Sequence, residues 1–346
     1  MDFDGLLAEL GTGRTAALAR AISLVENGRP GFERLLSAVH RKIGHARRIG
    51  LTGPPGAGKS TLAQQLVQLW RARGSTVAVV AVDPTSPHSG GALLGDRIRM
   101  EGVALDSGVY IRSMATRGSL GGLATSTREV CDVLDAAGFD RILIETVGVG
   151  QSELAVTSMA DSTVLVLVPE SGDGIQALKS GVMEVADLYV INKADRPGAA
   201  NLAREIEVTQ GIRQGHAFRH VRTHHAVTGG RKEAKTVAQG TALPTWTPPV
   251  LLTSATTGEG VAALADALER HGAWLEQGGE LEARRRTRFA ARTREVVDRA
   301  MHRWVWADTR AEELLQEGID AVATGRSSPY ELAAEIMAGL KEGARV

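Results

Sequence analysis

The sequence predicts an α/β fold in which a mainly parallel sheet is flanked by helices, with further helices at both ends of the chain. Three observations carry this. Short apolar runs rich in branched residues alternate with segments of helical spacing through the centre of the chain. Polar, glycine-rich text follows almost every run. The composition, 43% hydrophobic with 40 Gly and only 4% aromatic residues, fits an α/β chain better than a β-sandwich. Continuous apolar strands between helices belong to sheets covered on both faces, and ligands of such sheets bind beyond the carboxyl ends of the strands.

The elements follow in order. Residues 1–45 read as a helical extension, with Leu6, Leu7, Leu10, Ala17, Leu18, Ile22 and Leu24 at helical steps. After the break at Pro30-Gly31, Leu35, Leu36 and Val39 continue the pattern. Residues 46–275 hold the strand candidates: 48–51, 77–82, 142–144, 163–168, 188–191 and 250–253. Within them 209–249 breaks the rhythm, being rich in Gly, Thr, Arg and His, with Pro244, Pro248 and Pro249 near its end; it reads as a long surface insert. Residues 276–346 read as a helical arm. There Arg284, Arg285, Arg286, Arg288, Arg292, Arg294, Arg299 and Arg303 share a helix with Phe289, Val296, Val297, Met301 and Trp304. Glu282, Glu295 and Asp298 interrupt the cations. A helix with a charged outer face turned to a partner fits this better than a nucleic-acid or membrane strip.

Bulk properties exclude several classes. The 346 residues suit about two domains. Forty Lys+Arg balance forty Asp+Glu, which argues against a broadly basic nucleic-acid binder. One cysteine, Cys131, leaves no basis for a disulfide framework or a thiolate metal cluster. The acidic start of the chain is unlike a signal or transit peptide, and no apolar run reaches the ~18 residues of a membrane span. A cytoplasmic protein without membrane or nucleic-acid partners is expected.

Gly53-Pro-Pro-Gly-Ala-Gly-Lys-Ser60 fits G-x-x-x-x-G-K-[ST] between a strand and a helix with Leu62, Leu66 and Leu69 at helical spacing. This completes the fold class as a P-loop NTPase. Glycines let backbone N–H groups close around phosphate oxygens, and the helix N-terminus adds its positive end. Gly53, Pro54, Pro55, Gly56, Ala57, Gly58, Lys59, Ser60 and Thr61 are thus the candidate phosphate site. Lys59 is expected to reach the β- and γ-phosphates and Ser60 to ligate Mg²⁺.

Asn192-Lys193-Ala194-Asp195 follows the strand ending at Ile191. A carboxylate there accepts from both the ring N–H and the exocyclic amine of guanine. Adenine lacks that donor pair, so a buried Asp195 would discriminate against it. Ser254-Ala255, after the next strand, is placed to offer a backbone N–H to the guanine carbonyl; a plain loop is equally consistent with the spacing. Asp83 and Glu145, at the ends of their strands, are the catalytic carboxylate candidates beside Lys59 and, with Ser60 and Asp96, the candidate metal ligands. Glu145-Thr-Val-Gly148 looks like an element whose Gly148 N–H senses the γ-phosphate. Residues 84–99 and 117–122 read as switch loops.

Taken together, these motifs resemble the MeaB/ArgK family of G-protein chaperones associated with methylmalonyl-CoA mutase. The resemblance rests on Gly53–Ser60, Val82-Asp-Pro-Thr-Ser-Pro87, Gly90-Gly91, Leu94-Gly-Asp-Arg97, Arg117-Gly-Ser-Leu-Gly-Gly122, Glu145-Thr-Val-Gly-Val-Gly-Gln-Ser-Glu153, Pro169, Gly172-Asp173, Ile175-Gln176, Lys179 and Asn192–Asp195. It implies a SIMIBI-class GTPase that binds GTP and GDP and acts on an adenosylcobalamin-dependent acyl-CoA mutase, gating cofactor loading and exchange. It also implies a homodimer built through a C-terminal helical arm. Residues 169–179 match that family's additional switch, with Asp173, Gln176 and Lys179 as the residues coupling nucleotide state to the partner. Val149 follows Gly148 where Ras-like proteins carry a water-orienting Gln, and Gln151 is displaced, so slow intrinsic hydrolysis with activation by a partner or rearrangement is expected.

The insert 209–249 looks longer than that family's usual passage, and His216, His220, His224 and His225 cluster in it. Four-residue spacing would suit a metal on a helix, but Gly211, Gly215, Gly229 and Gly230 undermine the helix and favour a solvated loop. Two other functions remain open here: a nickel-inserting GTPase, which wants Cys and His ligands near the nucleotide, and a P-loop kinase, against which the guanine-type motif argues.

Overall fold

The structure is a computed structural model that describes residues 3–11, 13–83, 100–115, 120–146, 156–169, 182–213 and 245–343. The chain divides into two compact units, Met1–Arg284 and Arg285–Val346. Among the described residues of the first unit, seven parallel strands form one sheet: β1 (Arg47–Thr52), β2 (Val77–Asp83), β3 (Val109–Ala115), β4 (Arg141–Thr146), β5 (Ser162–Leu167), β6 (Leu188–Ile191) and β7 (Val250–Leu252). Their order is β3-β2-β4-β1-β5-β6-β7. β1 therefore sits between β4 and β5, with Leu51 opposite Glu145 on one side and Val164 on the other.

Burial on both faces explains the apolar runs. In β2, Ala78, Val80 and Val82 join one core while Val77 and Val79 join the other. Ile142 and Ile144 of β4 likewise oppose Leu143. The first core takes its cover from three N-terminal helices, α1 (Phe3–Gly11), α2 (Thr15–Glu26) and α3 (Phe32–Val39), through Leu18, Ile22, Leu35 and Val39. The second is covered by α4 (Lys59–Ala72), whose Leu62, Leu66 and Trp70 are fully buried. Four shorter or later helices follow: α5 (Glu101–Ala104), α6 (Leu120–Ala136), α7 (Val182–Val185) and α8 (Ala199–Arg213). The last helix wholly within this unit is α9 (Val261–Gln277), which buries Leu264 and Leu268 in the second core.

β3 was not among the strands expected from the apolar runs. Its sequence, Val-Tyr-Ile-Arg-Ser-Met-Ala, is interrupted by polar residues because it is the edge strand beside β2. The half-buried Arg112 reaches across to pair with Glu26 of α2, donating from Nε at 3.1 Å. The insert also differs in extent: residues 209–213 complete α8.

At the amino ends of the strands, buried charges anchor the sheet. The Asp135 carboxylate accepts from the backbone N–H of Gly44, His45 and Ala46 at 2.8, 3.1 and 3.0 Å, fixing the chain as it enters β1. Arg48 donates to Asp132 at 2.8 Å and to Asp135 at 3.1 Å.

A second anchor centres on Asp187, which immediately precedes β6. Its Oδ2 accepts from the Thr163 N–H at 2.9 Å and from Arg284 Nη1 at 3.2 Å, and its Oδ1 accepts from Arg284 Nη2 at 2.9 Å. His271 Nε2 lies 3.4 Å from Oδ1, and its Nδ1 lies 2.7 Å from Ser162 Oγ. Trp246 donates from Nε1 to the Asp187 carbonyl at 2.8 Å, and His271 stacks on Trp274 with 5.8 Å between ring centres.

Burial pushes the Asp187 pKa up, but the neighbouring His271 ring and the Arg284 fork outweigh it and hold the carboxyl below its ordinary value. The unfolded chain titrates near pH ~3.9. The ionised carboxylate therefore contributes stability above that pH and loses it as pH falls through the lower folded value. D187N is expected to cost about 2–4 kcal/mol at pH 7, since it breaks a largely buried ion pair whose Arg284 arm is part-exposed. Urea unfolding checks this: the gap between wild type and D187N should shrink as pH drops below ~4. A gap unchanged between pH 7 and acid would overturn the assignment.

The second unit continues the helix α10 (Glu280–Ala307) and adds α11 (Ala311–Ala323) and α12 (Pro329–Gly343). Ala311, Leu332 and Ile336 form its small core. Phe289, Val297, Met301 and Trp304 of α10 are exposed.

Candidate functional site

The carboxyl edge of the sheet gathers the phosphate-loop and base motifs. The loop between β1 and α4 is shaped by glycines at positive φ: Gly53 at 135°, Gly56 at 74° and Gly58 at 83°. Two of them also lack room for a side chain. A Cβ on Gly53 would lie 2.0 Å from the Val166 carbonyl oxygen, and one on Gly58 would lie 2.4 Å from Asn192 Nδ2. Pro55 and Gly56 are exposed, whereas Ala57, Lys59 and Ser60 are buried; Thr61 is exposed on α4. The Lys59 ammonium donates to the carbonyls of Gly53 at 2.7 Å and Pro54 at 2.9 Å, so it lies across its own loop. That posture keeps the charge solvated by dipoles at the mouth of the loop, where phosphate oxygens are stronger acceptors.

Ser60 and Glu145 meet directly. The Ser60 hydroxyl donates to Glu145 Oε1 at 2.6 Å, with both residues buried. Glu145 is brought there by register, since it stands opposite Leu51 of β1 and Ala81 of β2. Because the Ser60 proton goes to the carboxylate, the lone pairs of Oγ are left for a cation. A hydroxyl and a carboxylate are hard oxygen donors, and this pair fits a Mg²⁺ ion beside a phosphate cradle. Asp83 is the last residue of β2 at the same edge, one strand beyond Glu145; its side chain lies outside the described residues. Asp96, Gly148, Asp173, Gln176, Lys179 and the histidines at 216, 220, 224 and 225 also lie outside them, as do both switch-loop candidates apart from 120–122.

The base motif is stitched to the phosphate loop. Asn192 donates from Nδ2 to the Ala57 carbonyl at 2.8 Å. Its Oδ1 accepts from the Ala255 N–H at 3.0 Å and the Thr253 hydroxyl at 3.2 Å. Lys193, with φ 57°, donates from Nζ to the Gly56 carbonyl at 2.9 Å. The Ser254 hydroxyl donates to Asp195 Oδ1 at 3.0 Å and so orients that carboxylate.

Two expectations change here. Asp195 is exposed at the lip of the loop, not buried, so its shielding has to come from the base it binds. The backbone N–H groups of Ser254 and Ala255 are already held, by the Glu259 carbonyl at 3.0 Å and by Asn192 Oδ1. A guanine carbonyl at Ala255 would therefore share that N–H with Asn192. Sequence reasoning missed Thr253, which it read only as the end of a strand; the clue was its place directly before Ser254-Ala255.

Among the described residues no group of three or more His, Cys, Asp or Glu side chains could hold a metal ion. No helix of the described residues is long and apolar enough to cross a membrane.

Known proteins resemble this chain over most of its length. The family described as methylmalonyl Co-A mutase-associated GTPase MeaB matches residues 18–310. A putative GTPase of Pyrococcus horikoshii is 42% identical over 300 residues, covering 85% of each chain. The mitochondrial methylmalonic aciduria type A homolog of Mus musculus is 36% identical over 334 residues, covering 91% of this chain and 70% of that one. Among solved structures, a LAO/AO transport system kinase superposes with a TM-score of 0.63 at 26% identity, covering 98% of this chain and 97% of that one.

Proposed function

Because the chain belongs to the MeaB family of mutase-associated GTPases, and is thereby a GTPase, we propose that it serves as a chaperone of an adenosylcobalamin-dependent acyl-CoA mutase of the methylmalonyl-CoA type. GTP binding and hydrolysis to GDP and phosphate would gate cofactor loading, protection or reactivation on that client. The observation that carries the nucleotide reading is the bond from Asn192 Nδ2 to the Ala57 carbonyl, which joins the base motif to the phosphate loop as one site. Family membership and the name of the mouse relative support the choice of client.

The residues divide the work by position. The loop amides and the amino end of α4 bind the phosphates, and Lys59 exchanges its two carbonyl partners for phosphate oxygens. Ser60 and Glu145 would hold Mg²⁺, with Asp83 and Asp96 as further ligands. An ion held there would supply positive charge against the phosphate oxygens. Asp195, oriented by Ser254, selects guanine, with Lys193 and Ala255 flanking the base. Gly148 senses the γ-phosphate, and Asp173, Gln176 and Lys179 pass that state to the client. With Val149 where a water-orienting Gln would stand, intrinsic hydrolysis is slow.

The assignment extends to architecture: an N-terminal helical extension at 1–45, the GTPase domain at 46–275, and an arm at 276–346 through which two copies pair in the cytoplasm. The exposed Phe289, Val297, Met301 and Trp304 on α10 support a partner there. Neither nucleic acid nor membrane is a partner in this reading.

The test is steady-state hydrolysis of GTP and ATP, alone and with purified acyl-CoA mutases. GTP turnover should be slow alone, should exceed ATP turnover, and should rise at least severalfold with one mutase. A rate that no mutase changes removes the client; equal use of ATP removes the guanine assignment.

A further inference from the structure

The Asp187 anchor stands at the amino ends of β5 and β6, the opposite edge of the sheet from the nucleotide loops. The cluster has the residue types of a hydrolytic triad, Ser162, His271 and Asp187, but with the ring reversed: Nδ1 meets the Ser162 hydroxyl and Nε2 faces Asp187. It cannot act as one. His271 is fully buried, Ser162 is 5% exposed, and the carboxylate is already shared between Thr163 and Arg284. No acyl group can reach the hydroxyl. The cluster is a clamp, and what it clamps is informative.

β6 is only four residues long and wholly buried, Leu188–Ile191. Asp187 precedes it and Asn192 follows it. An extended strand of that length spans roughly 13 Å and is stiff along its axis. The Asp187 N–H donates to the Thr163 carbonyl at one end, and the Asn192 N–H donates to the Leu167 carbonyl at the other. A change in how Asp187 is seated is therefore delivered to Asn192 and the Asp195 loop. Of the groups that seat Asp187 from outside the sheet, with Trp246 on its carbonyl and His271 beside its carboxylate, Arg284 alone grips the carboxylate with a two-bond fork, and it also donates from Nη1 to the Asp161 carbonyl at 3.1 Å. Arg284 lies near the start of α10, the helix that continues into the second unit.

We propose that Arg284 is a positioning residue for the guanine site: its fork on Asp187 sets β6, and through β6 the Asn192–Asp195 loop, so that nucleotide affinity is linked to the hold on the foot of α10. The inference rests on the guanine assignment made above for that loop. Linkage makes it reciprocal: if Arg284 strengthens nucleotide binding, bound nucleotide must tighten the grip on α10 by the same factor.

Two measurements on the full chain test it. R284M keeps a long apolar stem but removes the fork; it should weaken GDP binding about 5- to 20-fold by calorimetry. R284K should recover part of the loss, having one charge but no fork. R47M, which breaks the Arg47–Glu276 pair between β1 and α9, is the control for a mere loss of an arginine pair and should bind GDP within about twofold of wild type. In the wild type, hydrogen exchange in the first turn of α10 should slow when GDP is added, and R284M should abolish that slowing. The proposal is overturned if R284M binds GDP like wild type, if R47M weakens binding as much, or if GDP leaves exchange at α10 unchanged. The last measurement needs no variant, so a failure of R284M to fold does not protect the idea. Wild-type protein that binds no guanine nucleotide overturns the guanine assignment as well; normal binding with an indifferent Arg284 overturns this inference alone.

Discussion

Lys59→Ala is expected to cut GTP hydrolysis by at least about a hundredfold. Lys59 is 5% exposed and its ammonium already sits at the mouth of the phosphate loop, held by the Gly53 and Pro54 carbonyls. Those two acceptors keep the charge poised without neutralising it. Phosphoryl transfer spreads negative charge over oxygens at this point, and a fixed cation there stabilises the transition state more than the ground state. Alanine removes the charge, and water admitted to the space stabilises developing charge less well. Arginine should not rescue, because its planar fork is too wide for a site bounded by two carbonyls of the same short loop. The fold should survive, since the loop glycines and the α4 core at Leu62 and Leu66 are untouched. Single-turnover hydrolysis with saturating GTP, alongside thermal unfolding, is the check. A K59A rate within tenfold of wild type would remove Lys59 from the chemistry.

Local text made the nucleotide edge legible. A glycine-rich string at a strand end dictates its own backbone, so the turn through Gly53 and Gly58 is legible in the string alone. The strings around Asn192 and Ser254 are likewise local, and their convergence follows once β6 and β7 are read as neighbouring strands. What was not legible depends on distance in sequence. β3 escaped because an edge strand need bury only part of its residues, and Arg112 spends its length on Glu26. The exposure of Asp195 is a property of the loop's height above the sheet, which no string encodes. The clamp joins Ser162 of β5, Asp187 before β6, His271 of α9 and Arg284 of α10, and each residue alone reads as an ordinary polar position. The pairing of β5 with β6 and the packing of two helices against their amino ends bring them to one point.

Asp195→Asn should abolish the preference for guanine and transfer it to xanthine. Ser254 Oγ holds Asp195 Oδ1 from below, leaving Oδ2 and the second lone pair of Oδ1 for a base. Guanine offers two donors side by side, its ring N–H and its exocyclic amine, and the carboxylate accepts both. Asparagine can keep Oδ1 on the Ser254 hydroxyl, but it then turns an NH₂ towards the amine of guanine. Two donors face each other, and one guanine N–H loses its partner while the base is covered. A site built around a hydrogen bond rejects a mismatched partner by orders of magnitude. Because one acceptor survives, the loss for GTP is set lower, at about 10²–10³ in affinity. Xanthine carries a carbonyl where guanine has its amine, so the same NH₂ gains an acceptor and XTP binding should rise. Competition of GTP, XTP and ATP for a fluorescent nucleotide reads both changes at once. D195N that still prefers GTP to XTP would show that the carboxylate does not touch the base, and the guanine site would have to be sought elsewhere on the carboxyl edge.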